Sequence, residues 1–215
     1  MMLLHLVKKD ILIAKKYVLV IMLFIIAFPL FVTVVAPQIE GLISFLYIVA
    51  LGEIVLLQVI SQEEAKYPKA AALLCASSYP RSTFVKAKYT FFLLLFAYCY
   101  IAYTLVMLVV NRAGVLDLTA ILTVLLVGII IYGIYIPVEF KFGAVKARFI
   151  FTIAILALAF GPMLFADLFA NITIDFSALA TIPASIKNTV LALASIAVFG
   201  ISMMASTKIY LNKDL

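Results

Sequence analysis

Apolar residues fall in long blocks separated by short polar intervals, and most blocks are as long as a bilayer is thick. They occupy residues 18–36, 42–60, 89–110, 118–138, 149–169 and 186–206. A membrane-spanning helix needs about 20 such residues, so the pattern predicts six spans. The fifth is irregular. Residues 149–160 cover only about half a bilayer at ~1.5 Å per residue, and Gly161-Pro162 then breaks or kinks the helix. Two readings stay open for residues 163–185: an outer loop after a kinked span, or short re-entrant helices, with the second favoured. Irregular backbone survives at membrane depth only where protein or water covers it. Ahead of the first span, residues 1–17 repeat with a helical period. Leu3, Leu4, Val7, Ile11 and Ala14 share one face, opposite His5, Lys9 and Lys16, with Lys8 and Lys15 on a shoulder. That predicts an interfacial helix whose lysines reach anionic membrane lipids.

Composition leaves little room for a soluble fold. The chain is 67% hydrophobic and 12% charged, whereas soluble domains are about a quarter charged. The net charge of +6 would suggest nucleic acid in a soluble protein. Here its placement is more informative, and no nucleic-acid partner is expected. Fourteen lysines and arginines lie on the side of both termini, and Arg112 and Lys187 alone on the other. The positive-inside rule then puts both termini and the interval 61–88 in the cytosol of a multi-pass cell-membrane protein. Cys75 and Cys99 are not placed for a disulfide.

The interval 61–88 is the longest that lipid would reject. Pro68 suits the first turn of a helix, residues 69–76 are rich in alanine and leucine, and Ser77-Ser78-Tyr79-Pro80 stops that helix before a second begins near Pro80. This predicts a helical hairpin pointing away from the membrane, a shape suited to docking. Within the apolar blocks, Glu53 stands out near the middle of the second. A charge there costs about 2.5–3.5 kcal/mol on insertion scales. It either faces a translocation path, binds a cation or holds a proton, or it packs as a satisfied acid against a tyrosine such as Tyr98 or Tyr100. The tyrosines either line an amphipathic path or serve as ordinary packing residues.

Several chemistries are missing. No glycine precedes a lysine, so there is no phosphate-binding loop of the Walker type. His5 is the single histidine, which removes histidine-based hydrolysis and most metal sites. The chain reads as a non-enzyme that binds no cofactor of its own.

Two segments, KKDILIAKKY before the first span and EEAKYPKAAALLCASSYPRSTFVKAKY after the second, resemble the small six-span permeases of ABC-2 type exporters. The group that includes the phenol-soluble modulin exporter permeases is especially similar. The matching features are Glu63–Glu64, the short helix from Lys69 to Cys75, the Ser78/Pro80/Arg81 turn, and Val85, Ala87, Lys88 and Tyr89 entering the third span. Proline and arginine are adjacent here, where the family more often separates them. The resemblance implies an all-α membrane protein of the ABC-2, or type V, exporter class, with a cytosolic coupling helix gripped by a separate ATPase that carries the ATP and magnesium. Glu63, Glu64, Lys66 and Lys69 would rim the contact, Tyr67, Leu73 and Leu74 would fill it, and Arg81 would sit beside it. Glu139 and Lys141 would make a second cytosolic contact. Two copies, or a copy and a paralogue, would form a dimer and pass an amphipathic peptide or drug, with Glu53, Tyr98 and Tyr100 as candidate path residues. The runner-up is a ligand-binding membrane subunit of the energy-coupling-factor kind, and a third reading is a membrane scaffold without transport.

Overall fold

The computed structural model describes residues 2–35, 41–67, 80–110, 116–153 and 183–212. Six long helices carry the fold: α1 (Met2–Ile13), α2 (Lys15–Val35), α3 (Leu42–Ala65), α4 (Arg81–Val109), α5 (Leu118–Phe142) and α6 (Ala184–Leu211). Residues 144–153 are also helical, and no strand occurs among the described residues. Five helices, α2 to α6, are long and apolar enough to cross a membrane. The irregular fifth block and the middle of the hairpin, residues 68–79, lie largely or wholly outside the described residues.

Helix limits differ from the hydropathy blocks at one end of the bundle. α3 continues past Ile60 to Ala65, α4 begins at Arg81 and runs unbroken into the third apolar block, and α5 runs through Glu139 to Phe142. The polar turns of these helices keep their helical hydrogen bonds because their charged side chains find partners on neighbouring helices. Pro80 precedes the first turn of α4 in extended conformation, as its fixed φ allows. Gly143 ends α5 at φ 85°, a backbone region that favours glycine.

α1 docks on the bundle, chiefly against α4 and also against α3. Its buried face holds Leu6, Val7 and Asp10, with Ala14 buried just past its end, while Leu4 is exposed. The apolar stripe is therefore rotated from the face read off the sequence. Leu4 leaves it, and Leu6 and the acid Asp10 enter.

α6 packs most extensively on α5, then on α4. The α5–α6 pairing keeps one register. The Thr119 hydroxyl donates to Asn188 Oδ1 at 2.9 Å, Ser202 donates to the Gly133 carbonyl at 2.7 Å, and Phe140 stacks on Tyr210 with centroids 4.7 Å apart. Both hydrogen-bonded pairs are separated by 69 residues, so the two helices run parallel. The chain between them must therefore leave one end of the bundle and re-enter at the other. Glycine at 133 permits the close approach, since a Cβ there would lie 2.9 Å from Ser202 Oγ.

A charged junction at one end of the bundle

Four helices place ionisable side chains together at the end where α3 and α5 finish and α4 begins. Lys88, on the second turn of α4, is buried. Its ammonium donates to Glu139 Oε1 of α5 at 2.9 Å and lies 3.3 Å from Glu64 Oε2 of α3. Ser61, one turn before Glu64 on α3, also donates to Glu139 Oε1, at 2.8 Å. Glu64 carries the network outward, because its Oε1 accepts from Lys9 of α1 at 2.6 Å. Lys9 in turn lies 3.0 Å from Asp10. The Phe140 ring covers Lys88, 5.6 Å from its ammonium, and the Tyr132 hydroxyl donates to the Lys88 carbonyl at 2.6 Å.

Two ammonium groups thus face three carboxylates in a largely dry junction. Removing one partner would strand its counter-charge, whereas the intact set offsets its own desolvation. On α1 the surplus of acid is visible in Asp10. Burial, with the Glu64 charge adding to it, pushes its carboxyl up to about 6, against the pull of Lys9. Lys9 itself is raised despite its burial, because Glu64 and Asp10 favour its charged form.

Next to the junction, a second seam joins α4 to α6. Tyr89 places its hydroxyl 2.5 Å from Ser202 Oγ and 2.9 Å from Ser206 Oγ. Ser202 spends its proton on the Gly133 carbonyl, so Tyr89 donates to Ser202 and accepts from Ser206. Its ring meets Tyr132 and Phe199 edge-on.

The residues singled out from sequence are dispersed by the fold. Glu63 pairs with Lys66 at 2.6 Å on the surface, and Tyr67 is 65% exposed just beyond α3. Lys69, Leu73 and Leu74 lie outside the described residues, as does the side chain of Arg81. Glu64 is committed to Lys9 and Lys88. Glu139, expected on a cytosolic contact surface, is instead buried inside the junction, 7% exposed. Its neighbour Lys141 is exposed. Residues 144–153 fold back on α5, with Phe151 against Tyr135 at 4.8 Å between centroids. Glu53, Tyr98 and Tyr100 do not converge. Tyr98 donates to the Met22 carbonyl of α2 at 3.3 Å and lines an apolar groove of about 360 Å³ between α2 and α4. Tyr100 meets Phe45 of α3, and Glu53 faces α5.

Ser61 and Asp10 escaped the sequence reading, which has Lys88 only as part of the entry into the third span and expects Lys9 to reach lipid. Asp10 carried a usable signal, being the lone acid in the first seventeen residues and one helical turn from both Leu6 and Ala14.

A family model described as ABC-2 family transporter protein matches residues 5–211. The chain belongs to that family and is a multi-pass membrane permease subunit of an ABC transporter. This selects the permease among the three readings open from sequence. Comparison with curated proteins and with solved structures returns no match.

Proposed function

We propose that the chain is the permease of an exporter in the cell membrane, with both termini and the 61–88 hairpin in the cytosol, and that a separate ABC ATPase grips the hairpin. The single observation behind this reading is the charged junction. It ties the hairpin's two roots, Glu64 on α3 and Lys88 on α4, to α1 and to the end of α5. A push on the hairpin is thereby shared by four helices. Such a joint suits a subunit that receives work from outside rather than one that generates it.

In this mechanism ATP draws two ATPase subunits together, and the hairpins of two permease copies, or of one copy and a paralogue, move with them. Tyr67 supplies an exposed aromatic anchor within a rim of Glu63 and Lys66, a composition that concentrates binding energy in interfaces. Lys141 and the polar link as far as Arg148 form the second contact, with Glu139 serving the joint and not the surface. ATP and magnesium remain on the partner. Six spans accommodate the parallel α5 and α6, because the intervening chain has to return across the bilayer. An amphipathic peptide or drug is the proposed cargo.

The test is recovery of the complex. Tagged full-length chain purified from its native membrane should bring down an ATPase bearing a Walker motif, and Tyr67→Ala should cut recovery by about tenfold or more without loss of folded permease. Undiminished recovery would remove the hairpin from the interface. An introduced cysteine replacing Lys69 should resist an impermeant thiol reagent applied outside intact cells; reaction would invert the topology.

A further inference from the structure

We propose that Glu53 is a proton-binding site at the crossing of α3 and α5, neutral while that crossing is closed and ionised when it opens. Glu53 is 4% exposed. Its Oε1 is buried without a hydrogen-bond partner. Among the described residues no ion pair reaches it; the five that form lie on α1, at the charged junction or at the exposed end of α3. Ser61 marks the near edge of that junction and is eight residues further along α3, about 12 Å away at ~1.5 Å per residue.

Neighbouring helices pack closely around the group. Gly128 of α5 presents its bare backbone to Glu53, such that a Cβ there would sit 3.3 Å from Oε2 and 3.5 Å from the Phe92 ring. On the adjoining side, a Cβ at Gly52 would meet Ile25 of α2 at 3.4 Å and the Cys99 thiol of α4 at 4.0 Å. The titratable groups facing Glu53 are Cys99 on α4 and, one turn along α5, Tyr132. The Tyr132 hydroxyl is spent on the Lys88 carbonyl, and α2 offers Ile25 alone. An isolated carboxylate in such surroundings is far costlier than the neutral acid, so the group keeps its proton.

This makes the crossing proton-linked. In the open state the carboxyl meets water and returns toward the ordinary glutamate value of about 4.3. Above that pH, and below the value held in the closed state, opening releases one proton. The closed state then loses ground by up to about tenfold in its equilibrium for each pH unit gained. The proton leaves to water as the carboxyl ionises, and no other reactant is needed.

Cys99 is fully buried beside this crossing and reports on it. With Cys75→Ser it becomes the sole thiol. The test labels the full chain in lipid nanodiscs with N-ethylmaleimide across a pH series, for wild-type Glu53 and for Glu53→Gln. The thiol's own ionisation accelerates both, and the ratio of the two rates removes the part they share; an ionised Glu53 would hold the neighbouring thiol back, so a rise in the ratio is not produced by that charge. The ratio is expected to rise with pH, approaching tenfold per unit; a flat ratio overturns the proposal. Infrared spectra at neutral pH give an independent reading. A protonated-acid carbonyl band present in wild type and lost in Glu53→Gln supports the site, and its absence from wild type overturns it. Should Glu53→Gln not fold, Glu53→Asp must shift that band instead. Neither readout uses ATP or transport, so the outcome is separate from that of the exporter reading.

Discussion

Glu139 and Glu53 are both acids buried in apolar helices, yet their surroundings could hardly differ more. Glu139 sits near the end of α5, where its Oε1 accepts from a lysine and a serine of other helices. Glu53 sits mid-helix, and its buried Oε1 receives no hydrogen bond. The first is stabilised as an ion by groups brought from other helices. The second is tolerable only as a neutral acid. Burial alone therefore says little about what a membrane carboxylate does; the presence or absence of a donated counter-charge decides it.

That contrast is sharpest at Lys88. Lys88→Met leaves Glu139 and Glu64 without their shared cation and should destabilise the chain by about 3–5 kcal/mol, seen as a lowered melting temperature in detergent. Lys88→Met combined with Glu139→Gln should recover much of the loss, because a neutral pair needs no counter-ion. If the double variant melts no higher than the single one, the junction is not held by charge.

Gly133→Ala comes next. Its new methyl would press on Ser202 Oγ at 2.9 Å and Cβ at 3.1 Å, an overpacking worth about 1–3 kcal/mol. Gly200, with nothing near a Cβ, should accept alanine without loss. Equal melting of the two variants would deny the close α5–α6 seam.

Asp10 gives a smaller and pH-dependent effect. Its folded value of about 6 lies above the ordinary value of 3.8, so the folded state holds the proton more tightly. Its contribution is full below about 4 and is lost as pH rises through about 6. Asp10→Asn should flatten the wild-type decline in melting temperature across that window. A decline unchanged in Asp10→Asn would assign it to another group.

The least effect belongs to Glu53→Gln. It replaces a neutral acid with an amide of similar size and should cost no more than about 1 kcal/mol. A loss as large as that of Lys88→Met would mean that Glu53 is ionised and paired, and the contrast would collapse.

Much of the bundle was legible because hydropathy is a property of contiguous residues. The spans of α2 to α6 follow from block length alone. The junction was not legible, because its members come from positions 9, 64, 88 and 139 and meet only through helix packing. The same physics explains the misplaced helix ends. A hydropathy block stops at the first polar run, so α5 seemed to end before Glu139 and α3 before Ser61. Their true ends lie beyond those residues because the charges are neutralised across the bundle. Glu53 was legible as an anomaly, but its neighbours were not. Tyr98 and Tyr100 seemed equally near in a linear reading, and it is the bare backbone of Gly128 that faces it.

The constant spacing between α5 and α6 has a mechanical corollary. Two rods pinned at matching heights can swing together but cannot slide past each other without breaking every pin. Disulfide staples placed along their shared edge should be harmless if the pair travels as one rail, and should arrest transport if the working stroke is a slip between them.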